Sequence, residues 1–111
     1  MSSKPSVAVL GTGNQGLITA GILTRAGCDV SLCDLPEFED SIEAIIDAGG
    51  INIKGAFGEG FVTPGVITTD IAEAIGGRDI LLFCVPAYGH EKFTRACAPY
   101  LKDGQLLVYI S

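Results

Sequence analysis

Short apolar runs that alternate with helical segments limit how this chain can fold more than any other feature. Residues 6–10 and 80–85 are continuous apolar runs of strand length, and residues 29–33 form a second short strand. A helical segment over residues 14–26 lies between the strands at 6–10 and 29–33 and stops at Gly27. Continuous apolar strands alternating with helices are typical of a parallel sheet covered by helices on both faces. We therefore predict an α/β domain with a doubly wound parallel sheet.

The rest of the chain continues this order, and its 111 residues suit one domain. Asp70 and Glu73 form a capping-box pattern, in which Asp70 caps a helix and Glu73 reaches back to it. The doubly wound sheet is expected to be truncated after its fifth parallel strand. The other predicted elements are a helix over 38–48, a strand around 51–53, a loop over 57–64, a strand at 66–67, a brief helix after Asp70, a helix over 89–98 and a strand over 105–110.

The junction of the first strand and the first helix carries a G-x-G-x-x-G pattern over residues 11–16. Glycine-rich chains produce this pattern by chance, but here a strand precedes it and a helix follows. Asp34 ends the next strand, 18 residues after Gly16. Together these features match the fingerprint of a Rossmann-type dinucleotide site.

Each residue type in the pattern has a physical reason. Gly11 permits a tight turn, Gly13 lets the backbone approach a pyrophosphate, and Gly16 lets the helix pack close to the sheet. The unpaired N–H groups of Asn14 and Gln15 face the phosphates at the positive end of the helix. A glycine turn that merely packs a helix against a strand is the alternative.

Asp34 predicts which dinucleotide the site prefers. A carboxylate here accepts hydrogen bonds from the adenosine ribose, whereas a 2′-phosphate would meet a like charge. The next residues, Leu35, Pro36 and Glu37, offer no arginine and add a further negative charge. We predict NAD(H) over NADP(H).

The turn after the fourth parallel strand, Val85, Pro86 and Ala87, is expected to form the second wall of the cofactor site. In the strand order 3-2-1-4-5 the crevice opens between strands one and four. A proline that simply ends a strand is the competing interpretation. His90 follows closely, and we interpret it as a solvated residue at a helix start rather than a ligand contact.

Composition excludes several classes of protein. Seven Lys and Arg against 13 Asp and Glu leave a net charge of −6, which argues against nucleic-acid and anionic-membrane partners. No run approaches transmembrane length, and residues 1–5 lack the apolar core of a secretory signal. Free thiols in a chain without a disulfide framework indicate a cytoplasmic protein. No metal cluster or catalytic residue stands out. The thiols are Cys28, Cys33, Cys84 and Cys97.

Residues 7–16, 32–34 and 85–90 together resemble the amino-terminal domain of opine dehydrogenases, the octopine/nopaline dehydrogenase family. The resemblance spans residues 7–110. It implies NAD as cofactor, bound by the glycine motif, Asp34 and the turn over 85–87. Such enzymes are similar two-domain proteins that reductively condense an amino acid with a 2-keto acid. The resemblance further implies that the substrate domain is missing here and that residues 1–111 alone are inactive.

Three alternatives stay open at this point. The glycine motif is shared with glycerol-3-phosphate dehydrogenases and ketopantoate reductases, whose second domains differ. The chain could instead be a stand-alone NADH-binding module without catalysis. A methyltransferase that binds S-adenosylmethionine also has a glycine-rich first turn, but the third glycine, Gly16, favours a dinucleotide.

Overall fold

The computed structural model describes residues 4–54 and 59–110 and shows seven strands and four α-helices in that part of the chain. Short 3₁₀ turns cover Pro36–Phe38, Ala87–Gly89 and Ala98–Tyr100. The strands are β1 (Ser6–Leu10), β2 (Asp29–Cys33), β3 (Ile51–Ile53), β4 (Gly60–Val62), β5 (Val66–Thr68), β6 (Ile80–Cys84) and β7 (Leu106–Ile110). The helices are α1 (Asn14–Arg25), α2 (Glu39–Ala48), α3 (Ile71–Ile75) and α4 (His90–Cys97).

Five of the strands form one parallel sheet with the order β5-β2-β1-β6-β7. Val7 of β1 pairs with Val30 on one side and with Ile80 on the other, so β1 is central. Counted along the chain, the parallel strands stand in the order 3-2-1-4-5. The predicted doubly wound parallel sheet is confirmed.

Helices cover both faces of this sheet, which explains why its central strands are apolar. Successive side chains of a strand point to opposite faces, so Val9 packs with Ala20 of α1 while Leu10 packs with Phe93 of α4 and Ile75 of α3. All five of these side chains are at most 1% exposed. Burial on both faces leaves β1 without a solvated side.

The segment between α2 and β5 departs from the prediction. Residues 60–62 form β4, which pairs antiparallel with β3 in a separate two-stranded sheet, so the predicted loop over 57–64 is wrong there. Positions 57 and 58 of that loop lie outside the described residues. Phe61 and Val62 are the only apolar residues of this strand, which is too few for a recognisable strand pattern. The strand is defined by its pairing with β3. Helix α2 also begins one residue later than predicted, after a 3₁₀ turn.

Half of the predicted capping box is present at α3. The Asp70 carboxylate accepts a hydrogen bond from the Glu73 N–H at 3.3 Å, as predicted. The N–H of Asp70 itself donates to the Thr68 hydroxyl at 2.9 Å, so Thr68 takes the place predicted for the Glu73 side chain.

Across residues 4–54 and 59–110, no helix combines the length and apolar character needed to cross a bilayer.

Candidate functional site

The glycine-rich turn lies at the carboxyl end of β1, wedged between its two neighbouring strands. The Gly11 N–H donates to the Cys33 carbonyl of β2 at 2.8 Å. Gly11 has a φ of +121°, and a Cβ there would stand 2.4 Å from the Cys84 carbonyl oxygen of β6. Both the backbone conformation and the space therefore require glycine.

Gly16 and Gly13 show opposite surroundings. A Cβ at Gly16 would stand 2.0 Å from the Gly11 carbonyl oxygen, so α1 packs directly on the turn that precedes it. A Cβ at Gly13 would meet no atom of the described chain within 4 Å. Gly13 therefore opens its backbone to the outside, while Gly16 closes the turn against the helix.

The amino terminus of α1 points its first amides toward the same open side. Gly13 caps the helix without a side-chain hydrogen bond, and its carbonyl accepts from the Leu17 N–H at 3.0 Å. Asn14 and Gln15 are exposed, and as the first two helical residues they have no preceding carbonyl within the helix. These amides lie at the positive end of the helix dipole.

Asp34 binds the glycine turn directly. Its Oδ2 atom accepts hydrogen bonds from the Thr12 N–H at 2.9 Å and from the Thr12 hydroxyl at 2.6 Å. Its Oδ1 atom accepts from the Leu35 N–H at 2.8 Å. Since a carboxylate oxygen has two lone pairs, Oδ1 keeps one free for a further donor. Thr12 was not among the predicted site residues, although a hydroxyl residue between the first two glycines was the available signal.

The turn over Val85, Pro86 and Ala87 lies beside the glycine turn, because β1 and β6 are neighbours in the sheet. The Val85 Cγ1 atom is 2.9 Å from where a Cβ at Gly11 would stand. The two turns therefore adjoin at the carboxyl edge of the sheet. That the second turn forms a wall of a cofactor site stays a prediction.

His90 supports this second turn from behind. Its Nε2 atom lies 3.0 Å from the Val85 carbonyl oxygen and donates to it, because a carbonyl only accepts. The half-buried ring also contacts the Tyr109 ring of β7, with 5.1 Å between centroids. Tyr109 in turn stacks on Phe83 at 4.5 Å. His90 begins α4, as predicted, but its ring is half-buried and bound to the Val85 carbonyl, so the predicted solvation is wrong. Its position in the sequence does not reveal this contact.

A cavity of about 280 Å³ lies between the segments that follow β2 and β6, the two strands that flank β1. Asp34 lies in its wall, and apolar side chains dominate the rest. The volume falls just below the range typical of whole small-molecule sites, so it suits one end of an extended ligand. The cavity is lined by Asp34, Leu35, Glu37, Phe38, Val85, Pro86, Tyr88, Gly89, Lys92 and Phe93.

The thiols nearest the site are held in the neutral form. Burial, with a smaller contribution from the neighbouring Asp34 charge, raises the pKa of Cys33 to about 12. Burial also raises the pKa of Cys84, against a weaker opposing hydrogen bond from Thr19. All four cysteines are free, as predicted. Neither Cys33 nor Cys84 is therefore a nucleophile near neutral pH.

Strand order, glycine turn and acidic residue together define a Rossmann-like domain, the class to which the nucleotide-binding halves of many dehydrogenases belong. The family to which this domain belongs follows from a family model. The chain belongs to the ketopantoate reductase PanE/ApbA family, whose model matches residues 7–111.

Opine and octopine dehydrogenases are among its relatives, which confirms the resemblance found in the sequence. Opine dehydrogenase of Arthrobacter sp. (strain 1C) is 33% identical, over 97% of this chain and 30% of the relative. Octopine dehydrogenase of Pecten maximus is 36% identical, over 92% of this chain and 27% of the relative. A solved structure of octopine dehydrogenase in complex with NADH and agmatine has a TM-score of 0.75 and 33% identity, covering 96% of this chain and 28% of that one. The chain thus spans about 30% of the length of the curated relatives it matches.

Proposed function

We propose that residues 1–111 form the NAD(H)-binding domain of an opine-type dehydrogenase. The observation that carries the proposal lies at the carboxyl edge of the sheet, where a buried carboxylate hydrogen-bonds an open glycine turn and also lines a cavity. The NADH that accompanies the related octopine dehydrogenase supports a dinucleotide over S-adenosylmethionine. A cytoplasmic location and a substrate domain outside this chain belong to the same proposal.

The proposed cofactor lies along the carboxyl edge. Its pyrophosphate faces the amides of Asn14 and Gln15, where the open backbone at Gly13 permits close approach. The adenosine half occupies the cavity beside Asp34, whose free Oδ1 lone pair accepts from a ribose hydroxyl. The turn over Val85, Pro86 and Ala87 bounds the path between them.

The proposed reaction of the whole enzyme is the reductive condensation of an amino acid with a 2-keto acid. Reduced NAD supplies the hydride for the imine carbon when it is bound. The share of residues 4–54 and 59–110 is to bind and orient the cofactor, as is usual for the protein part of such chemistry. We therefore expect the isolated domain to bind NADH and to show no dehydrogenase activity.

Other functions remain as alternatives in the proposal. Ketopantoate reduction is the enzyme alternative favoured by the family model. A stand-alone NADH-binding module is the alternative from another class. Activity assays on the protein encoded by a longer reading frame, with pyruvate plus amino acids and with ketopantoate, distinguish the two enzymes. If no longer reading frame exists in the parent DNA, the stand-alone module is favoured.

Calorimetric titration with NADH, NADPH and S-adenosylmethionine tests the proposal. We expect NADH to bind about tenfold more tightly than NADPH, which corresponds to about 1.4 kcal/mol, and S-adenosylmethionine not to compete. Asp34→Ala weakens NADH and leaves NADPH unchanged or improved. Equal binding of NADPH and NADH by the wild type would overturn the preference, and binding of S-adenosylmethionine alone would overturn the class of ligand.

Thr12→Val is the matched control for Asp34→Ala. Removing the carboxylate also leaves the N–H groups of Thr12 and Leu35 without their acceptor. Thr12→Val removes one hydroxyl hydrogen bond to the carboxylate and keeps its charge in the site. If loosening of the glycine turn alone explained the Asp34→Ala result, Thr12→Val would shift the NADH to NADPH ratio in the same direction.

A further inference from the structure

An ion pair between residues far apart in sequence lies at the rim of the cavity beside Asp34. Lys92 of α4 contacts the carboxylate of Glu37, which lies in the 3₁₀ turn after β2. The two residues are 55 positions apart in sequence. Their side chains are 61% and 50% exposed, so the pair lies at the surface of the cavity rather than in its floor.

Charge in this cavity is unevenly distributed. Its described lining holds two carboxylates, Asp34 and Glu37, and a single cation, Lys92. Arg78 and Arg95 do not line it. A phosphate that entered beside Asp34 would thus depend on Lys92 for a favourable charge, and Glu37 already engages that side chain.

We propose that Glu37 is a second determinant of cofactor choice because it withholds Lys92 from the 2′-phosphate of an NADP-type ligand. This inference rests on the proposed function, since it concerns the adenosine end of the same dinucleotide. It differs from direct repulsion by Glu37, the effect that the sequence alone predicts. In the present inference, the carboxylate acts through the lysine.

Replacing Glu37 alone is expected to release Lys92 for contact with a 2′-phosphate. Exposed ion pairs contribute little to stability, so loss of the Glu37 charge leaves the fold intact and Lys92 free to turn. A phosphate carries more charge than a carboxylate and competes well for a lysine that is no longer paired. Because both groups are partly solvated, the expected change is about fivefold rather than a reversal of preference.

A double-mutant cycle over Glu37 and Lys92 distinguishes the two mechanisms. Wild type, Glu37→Gln, Lys92→Gln and the double variant are titrated with NADH and NADPH, and with 5′-AMP and adenosine 2′,5′-bisphosphate as probes of the adenosine end. We expect Glu37→Gln to raise affinity for the 2′-phosphorylated ligand, relative to its unphosphorylated partner, about fivefold. In the double variant this gain disappears, and in Glu37→Gln it shrinks as ionic strength rises.

Glu91→Gln is the matched control, since it breaks the neighbouring exposed pair with Arg95 on the same helix, away from the cavity. Its ligand ratio is expected to equal that of the wild type. A Glu37→Gln gain that survives in the Lys92→Gln background would overturn the inference in favour of direct repulsion, and so would the absence of any gain. Wild-type protein that binds none of the four ligands would overturn the proposed function itself, and this inference with it.

Discussion

The two edges of the parallel sheet carry polar networks that are built differently. At the amino edge, side chains bind strand ends to one another. Asp79 accepts from the Ser6 N–H at 3.0 Å, and Arg78 contacts Asp29 through both its carbonyl, at 3.0 Å, and its carboxylate, at 2.9 Å. Gln105 donates to two carbonyls of the segment before β6, each at 2.9 Å.

At the carboxyl edge, the hydrogen bonds instead hold turns in place and leave space in front of them. The Thr12–Asp34 bonds and the His90–Val85 bond brace the backs of two turns. In front of these turns lie the open position at Gly13 and the cavity of about 280 Å³. One edge therefore closes the fold, while the other, with similar chemistry, carries the proposed site.

Gly16→Ala is expected to have the largest effect, because it adds an atom 2.0 Å from a backbone oxygen that cannot move without displacing the turn. We expect a loss of about 3 kcal/mol in the free energy of unfolding, measured by urea denaturation. Gly13→Ala is the control at the same edge. With no neighbour of the described chain within 4 Å, it keeps stability near that of the wild type and weakens NADH binding. Equal stability of the two variants would contradict the close packing of α1 on the turn.

Arg78→Met tests the amino edge. Arg78 is 9% exposed, and its guanidinium donates to the Asp29 carbonyl at 3.0 Å. Loss of these charge-assisted bonds is expected to cost about 2 kcal/mol of stability, measured by thermal or urea unfolding. Calorimetry on the folded variant should give the wild-type affinity for NADH. A large loss of NADH affinity at full folding would break the distinction between the two edges.

Much of this architecture could be predicted from the sequence, and the limits have physical causes. Strands apolar on both faces and glycines with steric roles leave local signals, so β1, β2, β6 and the glycine turn were found. β4 was missed because three residues among glycines carry no pattern apart from their pairing with β3. The contacts of Asp34, His90 and Lys92 join residues whose separation in sequence says nothing of their distance in space.

Cys33 lies at the carboxyl edge, but burial keeps its thiol protonated and therefore unreactive near neutral pH. Its pKa of about 12 in the folded protein, against 9.0 for an ordinary thiol, means that folded protein keeps a proton that unfolded protein loses between these values. Stability therefore falls as pH rises above 9, by about 1.4 kcal/mol per unit at most. Urea denaturation at pH 8 and pH 10 should show this extra loss in wild type relative to Cys33→Ala. Identical pH dependence in the two proteins would contradict a buried, protonated Cys33.

The smallest effect is expected at His90. His90→Leu removes the donor to the Val85 carbonyl and should lower stability by about 1 kcal/mol and weaken NADH a few fold. His90→Gln keeps an N–H donor of similar reach and is expected to restore NADH affinity. Tyr109→Phe keeps the ring against His90 while losing the hydroxyl contact with Thr94. Failure of the glutamine variant to bind better than the leucine variant would exclude a positioning role.

The most direct test monitors both edges of the sheet at once while NADH binds. Backbone amide resonances of the ¹⁵N-labelled chain are followed by NMR as NADH is added. We expect large shifts for the residues of 11–16, 34–38 and 85–89 that have a backbone N–H, which leaves out Pro36 and Pro86, and smaller shifts when NADPH is added at the same concentration. Resonances of Ser6, Asp29, Arg78 and Gln105 should stay in place. Shifts centred on these four residues, or none at the glycine turn, would contradict the assignment of the site to the carboxyl edge.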